Sequence, residues 1–402
     1  MSASSRRAMA FALTLGLSGA APTLAAAAQV RQVYAPLWFV DNVALGPCLL
    51  TLAGPASAEE ACIPWTRREV ASPALHRATG TLLVGGLDGK LHARDVVDGR
   101  SLYAVPMPGR VFAKPVFIDD SAYFGTADAV VVRADVTSGR IRWQQSVDAE
   151  VLEPATVAGA LVIVVTGLDT VYAFDRESGA SRWVYKHPLP GGITLRGQAR
   201  PQVAEVQTPQ GPSTRVYVGH ASGSMSVLDL QTGRLIDRWS LGKDVAFVDV
   251  DSDPVVRDGR VVAASQAVGV FSLDAVTGKT LWKLDESGIT RLAAGGDALV
   301  VAAGPGKVLG LEAATGKVRW RFTFSRGAPG RPAVQGGRVH IASDRGALYV
   351  LDLQSGEPLQ YFGTGNGFAA DLELDADLLL AMSTAGRLFA LSNAFEGRFQ
   401  PK

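Results

Sequence analysis

One acidic stretch of the chain has the residue types and spacing of a calcium-binding loop. Asp249, Asp251 and Asp253 occupy the first, third and fifth positions of such a loop, where carboxylate oxygens would bind the ion. However, Pro254 stands where the loop requires glycine, and the twelfth position is Arg260 instead of a bidentate glutamate. The pattern therefore argues against calcium binding of this type. Two interpretations stay open, an acidic loop at the end of a structural unit and a patch that binds another protein.

Residues suited to covalent or acid–base catalysis are not grouped along the chain. There is no G-x-S-x-G motif, and neither cysteine lies near a histidine. The five histidines are scattered singly as candidate strand or turn residues, at His76, His92, His187, His220 and His340. The double glycines at 85–86 and 295–296 lack the strand-turn-helix context that phosphate binding requires. We therefore predict that the protein is not an enzyme and holds neither a cofactor nor a metal ion.

The composition argues against a nucleic-acid partner and favours an all-β protein. Lys and Arg total 39, Asp and Glu total 38, and no basic stripe with interleaved aromatic residues is present. The chain has 402 residues, of which 47% are hydrophobic and 44 are glycine. It can therefore bury a large core and make many turns.

The first 28 residues have the three parts of a secretory signal peptide. Arg6 and Arg7 are followed by an apolar run over 8–21 and by four alanines at 25–28, which offer a cleavage site. The apolar run is too short for a transmembrane helix, so we expect residues 29–402 to be exported as a single domain. No cysteine follows the small residues, and the sequence therefore shows no lipid anchor.

The two cysteines of the chain, Cys48 and Cys62, lie in an irregular segment over 41–65 that precedes the first repeat. In an exported protein a disulfide that closes this short loop is favoured, and it would stabilise the segment by roughly 2–4 kcal/mol. Two free thiols or an unusual metal-binding pair are the alternatives, although the histidines show no spacing for a shared metal site.

A short motif repeats along almost the whole chain. In its best copy an alternating apolar strand leads into a tight turn from Asp274 to Gly278, and a second strand ends in Trp282. Eight copies have their turn glycines at Gly99, Gly139, Gly179, Gly233, Gly278, Gly316, Gly356 and Gly397. A period of roughly 40–50 residues with four strands per unit is typical of a β-propeller. We therefore predict an all-β fold, an eight-bladed β-propeller of four-stranded antiparallel blades.

Large aromatic residues at the hairpin ends are predicted to close the seams between blades. A single four-stranded sheet cannot bury both faces, so blades must pack on each other, and a tryptophan can fill the space between them. Five tryptophans have this role in the prediction, with Trp239 two residues late: Trp143, Trp183, Trp239, Trp282 and Trp320. Ligand stacking is the alternative role for these tryptophans.

Trp38 lies in a strand-like stretch before the first repeat, and we expect this N-terminal strand to complete the eighth blade and close the ring.

Two unusual stretches open the fourth and fifth repeats. The first is an apolar loop over 189–201 that carries Ile193, Leu195 and Arg196, and the second contains Asp249 and Asp251. Because both precede the first strands of adjacent blades, we expect them to lie beside each other on one face of the disc. Arg196 and the carboxylates, next to the apolar side chains, would then form a protein-binding patch.

The repeats resemble those of the pyrroloquinoline-quinone (PQQ) propellers, whose units carry Ala-x-Asp-x-x-Thr-Gly-x-x-x-Trp. Quinoprotein dehydrogenases of this fold typically use a vicinal cysteine pair and a Glu/Asn/Asp calcium site, and this chain has no adjacent cysteines. The chain is more specifically similar to the BamB family of outer-membrane β-barrel assembly proteins. Residues 193–197 match that family's Leu-Thr-Leu-Arg-Gly loop, and residues 249–254 match its Asp-Val-Asp-x-x-Pro loop.

The resemblance implies a partner and a binding site. In the BamB family these two loops bind the periplasmic domains of BamA, the central barrel subunit, which makes the contact candidates Ile193, Leu195, Arg196, Asp249 and Asp251. The family usually has a lipidated cysteine at the cleavage site, where this chain reads Ala-Ala-Ala-Ala-Gln.

From the resemblance we expect a non-enzymatic scaffold in the periplasm, peripheral to the inner face of the outer membrane and monomeric within a complex. Its partners would be a BamA-like subunit and unfolded outer-membrane proteins, the latter bound by strand-edge pairing. The alternatives are a quinone-dependent periplasmic oxidoreductase, a ligand sensor on the same ring, and an envelope scaffold with no link to barrel assembly.

Overall fold

The computed structural model describes residues 34–42, 69–188, 199–242, 249–250 and 252–393. Within these ranges the chain forms 32 β-strands and no α-helix, and the strands associate into eight antiparallel sheets of four strands each. None of the described segments is a helix long and apolar enough to cross a membrane. The predicted fold class, an all-β propeller with eight four-stranded blades, is confirmed.

We number the blades 1 to 8 in chain order, each starting with its innermost strand. Blades 1 and 2 consist of β2 (Ala74–His76), β3 (Thr81–Gly85), β4 (Lys90–Asp95), β5 (Ser101–Pro106), β6 (Val116–Ile118), β7 (Ser121–Gly125), β8 (Val130–Asp135) and β9 (Ile141–Ser146). Blades 3 and 4 consist of β10 (Thr156–Ala158), β11 (Leu161–Val165), β12 (Thr170–Asp175), β13 (Ser181–Lys186), β14 (Gln202–Thr208), β15 (Gly211–Gly219), β16 (Ser224–Asp229) and β17 (Leu235–Ser240).

The second half of the ring has the same organisation. Blades 5 and 6 consist of β18 (Val255–Arg257), β19 (Arg260–Ser265), β20 (Gly269–Asp274), β21 (Thr280–Leu284), β22 (Ile289–Gly295), β23 (Ala298–Ala303), β24 (Lys307–Glu312) and β25 (Val318–Thr323). Blades 7 and 8 consist of β26 (Ala333–Gln335), β27 (Arg338–Ala342), β28 (Ala347–Asp352), β29 (Pro358–Gly363), β30 (Glu373–Asp375), β31 (Leu378–Met382), β32 (Arg387–Ser392) and β1 (Ala35–Asp41).

The first strand of the chain completes the last blade. β1 pairs antiparallel with β32, so blade 8 has the strand order β1-β32-β31-β30, whereas every other blade is built from four consecutive strands. Just before β1, the backbone N–H and carbonyl of Tyr34 both bind the side-chain amide of Gln360 in blade 7, at 2.5 and 2.6 Å. The prediction that an N-terminal strand closes the ring is therefore confirmed.

Most hairpin turns are built around the aspartate of the repeat, and blade 6 has Glu312 in its place. In blade 5, Asp274 Oδ1 accepts hydrogen bonds from the backbone N–H groups of Val276 and Thr277 and from the Thr277 hydroxyl, at 2.8–3.1 Å. Gly278 closes the turn with a φ of 68°, in the left-handed region that favours glycine. The pairing of β20 with β21 shifts register beside this turn, which indicates a β-bulge. A short polar motif therefore fixes the position of the hairpin.

Tryptophans at the hairpin ends lie in the seams between blades. The Trp183 ring of blade 3 covers Gly233 in the turn of blade 4, and its indole N–H donates a hydrogen bond of 2.9 Å to the Leu230 carbonyl. A Cβ at Gly233 would lie 2.5 Å from the ring, so the turn needs glycine. Tyr103 has the equivalent place in blade 1 and donates from its hydroxyl to the Val136 carbonyl. The same arrangement, with Nε1–O distances of 2.9–3.1 Å, recurs for Trp38, Trp143, Trp282 and Trp320.

Trp239 departs from this hydrogen-bond pattern. It comes two residues later in its strand than the others and packs on Gly278, but its indole N–H donates to Asp237 Oδ2 at 2.8 Å. The backbone carbonyl at the equivalent place in blade 5, that of Ala275, accepts instead from the Tyr217 hydroxyl at 2.7 Å. Packing and hydrogen bonding are thus divided between two side chains at this seam.

The hydrophobic core is divided among the seams. In one of its clusters, Ile163 and Val171 of blade 3 pack with Val216 and Leu228 of blade 4, and all four side chains are buried. A blade buries its two faces only against its neighbours, as in other repeat architectures. The stability of each blade therefore depends on the completeness of the ring.

Candidate partner-binding segments and central channel

Most of the residues predicted to bind a partner lie outside the described part of the chain. They are Ile193, Leu195, Arg196 and Asp251, and the cysteines Cys48 and Cys62 also lie outside it. Their roles stay predictions. The structure does describe Asp249 and the residues that flank both segments.

Asp249 lies at the entry to blade 5 and is buried, with 1% of its surface exposed. Its backbone carbonyl accepts a hydrogen bond of 2.9 Å from the N–H of Gln266. The next residue, Val250, donates its N–H to the His220 carbonyl of blade 4 at 3.1 Å. The backbone of Asp249 and Val250 therefore fixes this loop between blades 5 and 4, and the side chain of Asp249 is buried there.

The two predicted segments end side by side. Arg200 follows the first segment, and its backbone N–H donates a hydrogen bond of 2.8 Å to Asp253 Oδ1 at the end of the second. The hydroxyl of Ser252 exchanges hydrogen bonds of 3.2 and 3.3 Å with the backbone of Ala264 and anchors the same stretch in blade 5. The described residues on the C-terminal side of the two segments therefore belong to one face of the disc.

Charged residues that precede the inner strands converge on the centre of the disc. Arg331 of blade 7 forms ion pairs with Asp253 of blade 5, with Glu153 of blade 3 at 2.5 Å, and with Asp371 of blade 8 at 2.9 Å. Blades 3 and 7 stand opposite each other in a ring of eight. The ion pair between Arg331 and Glu153 therefore crosses the central channel.

Two further cations extend this group. Arg291 pairs with the second oxygen of Glu153 at 3.0 Å. Lys114 pairs with Glu373 at 2.5 Å and donates to the Leu372 carbonyl at 2.9 Å. We call the whole group the channel network, and its members are Lys114, Glu153, Asp253, Arg291, Arg331, Asp371 and Glu373.

The electrostatics of the channel network follow from its burial. Although burial opposes the charge, the carboxylates of Asp371, Asp253 and Glu153 raise the pKa of Arg331 well above its ordinary value. Burial raises the pKa of Glu153 to about 7, against the attraction of Arg331. Burial alone would also raise the pKa of Asp371, but Arg331 and Lys114 lower it. Each of these carboxylates is thus matched to a cation of the same chain.

The channel network does not fit a quinone held over calcium. One pocket of about 240 Å³ lies beside Glu153 and Arg291, and another of about 210 Å³ lies beside Asp253 and Arg331. Sites for drug-sized ligands usually enclose about 300–1,000 Å³. The described ranges contain no group of three or more His, Cys, Asp or Glu side chains that could hold a metal ion. The carboxylates at this centre serve ion pairs within the chain instead.

Sequence reasoning missed the channel network, although several of its members share a local pattern. In six blades a polar or charged residue directly precedes a proline, and these residues are Ser72, Lys114, Glu153, Arg200, Asp253 and Arg331. Proline restricts the residue before it to extended conformations, which lead directly into a strand. The shared dipeptide could have identified these residues as equivalent positions around the centre of the ring.

These features define a class of protein, an eight-bladed propeller with PQQ-type hairpin repeats and a channel closed by ion pairs within the chain. The sequence matches the family model described as outer membrane protein assembly factor BamB over residues 115–298 and 269–395, and the chain belongs to this family. BamB of Yersinia pestis is 23% identical over 279 residues, which cover 67% of this chain and 68% of that protein. BamB of Legionella pneumophila is 27% identical over 327 residues, with coverages of 69% and 83%.

Solved structures share the fold. The crystal structure of BamB from Moraxella catarrhalis has a TM-score of 0.69 and 22% sequence identity, and the match covers 81% of this chain and 98% of that one. The quinohemoprotein alcohol dehydrogenase of Comamonas testosteroni has a TM-score of 0.68 at 12% identity, with coverages of 92% and 78%. Likeness at these identities shows the fold alone, and function must be argued from the site and the family.

Proposed function

We propose that this protein is a non-enzymatic scaffold subunit of the periplasm that assists the assembly of β-barrel proteins into the outer membrane. Its membership of a family whose relatives are named outer membrane protein assembly factors supports this role. The partner in this proposal is a BamA-like central barrel subunit, bound through its periplasmic domains.

One contact supports the proposed site above all others. The hydrogen bond between the Arg200 N–H and Asp253 Oδ1, 2.8 Å long, joins the ends of the two segments that match the family's loops. A partner that reaches one segment therefore also reaches the other. Arg196 would offer a charge-assisted hydrogen bond, and Ile193 and Leu195 would offer an apolar anchor beside it.

The propeller is suited to holding a flexible partner in one orientation. Neighbouring blades share buried clusters and a seam tryptophan, so the frame that carries the two segments is rigid. Rigid presentation reduces the entropy that is lost on binding. No bond has to be made or broken in this function, which agrees with the lack of grouped catalytic residues in the sequence.

The outer strands offer a surface for the second proposed partner, unfolded outer-membrane proteins. Phe39 of β1 is 58% exposed and Tyr361 of β29 is 69% exposed, and both strands lie at the outer edge of their sheets. An edge strand presents unpaired backbone groups to which an extended segment can add. We propose that incoming strands pair there for a short time.

Binding of the purified mature protein to the periplasmic domains of its host's barrel-assembly subunit tests the proposal. We expect Arg196→Ala to weaken binding by about tenfold or more, since truncated hot-spot residues typically cost upwards of about 1.4 kcal/mol. Asp251→Ala should weaken binding in the same direction. Circular dichroism of each variant should match the wild-type spectrum.

Arg319→Ala is the matched control, because Arg319 is a surface arginine paired with Asp297 in blade 6. It should bind like the wild type. No binding by the wild type would overturn the proposed partner. Equal binding by the wild type and Arg196→Ala would leave the partner in place and overturn the site.

A further inference from the structure

Two histidines stack face to face in the seam between blades 3 and 4. The ring centroids of His187 and His220 are 3.8 Å apart, and the ring planes differ by 6°. Both residues are buried, with exposures of 6% and 1%. Two positive charges at this separation and away from water would repel each other strongly. The stacked geometry therefore tolerates at most one added proton.

The hydrogen bonds of the pair favour neutral rings. His187 Nε2 lies 2.8 Å from the Ser222 hydroxyl, and His220 Nε2 lies 3.0 Å from the Ser226 hydroxyl. The Nδ1 atoms of both rings are buried without a hydrogen-bond partner. A neutral ring can leave Nδ1 unprotonated, whereas a charged ring would bury an N–H that makes no hydrogen bond.

The groups that face the pair come from several elements. Asp169, between β11 and β12, has its Oδ1 3.6 Å from His220 Nδ1. Tyr185 of β13 shares the Ser226 hydroxyl with His220, and Arg238 of β17 donates to the Tyr185 hydroxyl at 3.0 Å. Asp169 is therefore the nearest acidic side chain to the stacked rings.

A proton on His187 is unfavourable while the rings are stacked. Burial lowers the pKa of His187 to about 4, with His220 and Arg238 acting in the same direction and Asp169 against them. His187 is therefore neutral in the folded protein near neutral pH and gains a proton only when the surroundings become acidic.

The pair is connected to both proposed partner-binding segments. His187 lies two positions before residue 189, where the first segment begins. The His220 carbonyl accepts the N–H of Val250, which stands inside the second motif. The backbones of Gly219 and Val250 are closely packed, because a Cβ on Gly219 would lie 2.5 Å from the Val250 carbonyl oxygen. A change in the ring spacing would therefore move the backbone at residues 187–188 and 249–250, which adjoin the two segments.

We propose that the stacked pair of His187 and His220 is an acid-sensitive joint that regulates partner binding at the two adjoining segments, an inference that rests on the function proposed above. With both rings neutral the seam is closed. A proton on His187 separates the rings and opens the seam.

The sign of the effect follows from the neutral state of His187 in the closed form. Opening restores the ordinary pKa of 6.5, so the open form binds more protons at acidic pH. The stability of the closed form relative to the open form is greatest above pH 6.5 and decreases as the pH falls towards 4. Partner binding that requires the closed form weakens over the same range.

Partner affinity measured against pH in the full mature protein tests the joint. Wild-type affinity for the periplasmic domains should fall about fivefold or more between about pH 7 and pH 5. His187→Gln keeps a polar group near Ser222 but cannot take up a proton, so most of this pH dependence should disappear. His92→Gln, which removes a histidine paired with Asp88 in blade 1, is the matched control and should keep the wild-type profile. The same profile in wild type and His187→Gln would overturn the joint.

A second measurement separates the joint from the proposed function, because it needs no partner. Backbone amide exchange in β13 and β16 of the protein alone, corrected for intrinsic rates, should accelerate on acidification in the wild type and not in His187→Gln. If no partner binds at any pH, the proposed function fails. Amide exchange then still shows whether the stacked pair responds to acid. If His187→Gln does not fold, an NMR titration of the wild-type imidazoles decides it. Two rings that titrate independently near their ordinary pKa would overturn the proposal.

Discussion

At the residue scale, the seam tryptophans differ in what their indole N–H groups bind. The N–H of Trp183 satisfies the Leu230 carbonyl of the next blade, and no other side chain among the described residues donates to that carbonyl. At the next seam Tyr217 satisfies the equivalent carbonyl of Ala275, and the N–H of Trp239 is bound within its own strand. Two buried tryptophans of similar packing should therefore contribute differently to stability.

Phenylalanine substitutions measure this difference. Trp183→Phe leaves a buried carbonyl without its donor, so it should lower the free energy of unfolding by about 1–3 kcal/mol more than Trp239→Phe does. Both changes remove the same ring volume, which makes each variant the control for the other. Urea denaturation at equilibrium provides the comparison. Equal losses would show that the hydrogen bond to Leu230 adds nothing beyond packing.

His340 makes the stability of the ring dependent on pH. It is buried, its Nε2 lies 3.0 Å from the Tyr34 hydroxyl, and burial lowers its pKa to about 4. Because this value is below the ordinary 6.5, the stabilisation is complete above pH 6.5 and is lost as the pH falls towards 4. The full loss amounts to about 3 kcal/mol.

His340→Gln should remove this acid-dependent loss. The advantage of the wild type over the variant in free energy of unfolding should therefore shrink between about pH 7 and pH 4.5. Denaturant titrations at the two pH values measure it. A constant advantage would mean that His340 does not take up its proton on unfolding.

Residue roles that depend on a local motif could be predicted from the sequence, and those that depend on a neighbouring blade could not. In most repeats the aspartate, glycine and tryptophan predict the turn and the ring in the seam, since all three lie within about ten residues of chain. Trp239 does not bind the Ala275 carbonyl because Tyr217 already does so. Likewise, the stacking of His187 requires His220 of the next blade. A strand pattern does not show which side chains meet across a seam.

At the element scale, one side chain connects the closing strand to the blade before it. Gln360 binds both the N–H and the carbonyl of Tyr34. Gln360→Leu removes both bonds and should cost about 1–3 kcal/mol, because the backbone of Tyr34 is held in a buried position. Backbone amide exchange in β32 should accelerate as β1 loosens.

Gln354→Leu is the control for this prediction. Gln354 lies in an exposed turn of the same blade and binds the surface groups of Asp297 and Arg319. Little change in stability or exchange is expected for this variant. Faster exchange in β32 in both variants would mean that any disturbance of blade 7 loosens this strand, and that the contact with Tyr34 has no special role.

The strand pairing could largely be predicted from the sequence because it is local in seven of the eight blades. Those blades pair consecutive strands, and the number of repeats gives the number of blades. The non-local pairing of β1 with β32 was predictable because the last repeat is short of one strand and a spare strand precedes the first repeat. The ends of the strands are harder to predict, since β1 extends to Asp41, where an irregular segment was predicted to begin.

At the scale of the whole molecule, the channel network depends on Arg331, which binds carboxylates from three blades. Arg331→Met removes the shared cation and leaves Glu153, Asp253 and Asp371 close together. We expect a loss of about 3–5 kcal/mol, as is typical when one partner of a buried ion-pair group is removed. Thermal and urea unfolding near neutral pH measure it.

Arg319→Met is the control, because Arg319 pairs with an exposed carboxylate on the surface of blade 6. Exposed pairs contribute little to stability, so this variant should unfold like the wild type. Similar small effects of Arg331→Met and Arg319→Met would mean that water or rearranged side chains replace Arg331 at the centre.

The sequence could not reveal these partners of Arg331. Arg331 and Glu153 are 178 residues apart in the chain, and only the closure of the ring brings them together. The charged residue before each proline can be found by inspection, but the sign of charge that lies opposite depends on the number of blades and on which blades face each other. The fold class is therefore predictable from local repetition, whereas the ion pairs at the centre can be identified only in the assembled disc.

The pairing of β1 with β32 also sets an order of events during synthesis and export. In a chain delivered from its N-terminus, the strand that arrives first must wait for the strand that arrives last. Blades 1 to 7 can form their hairpins locally, but the seam where Trp38 covers Gly99 cannot close until β32 is present. A chain that lacks its last strand has an open ring with free sheet edges, which proteases can attack. Resistance to proteolysis thus reports that the chain has been made through β32, and the fold itself distinguishes such molecules from shorter ones.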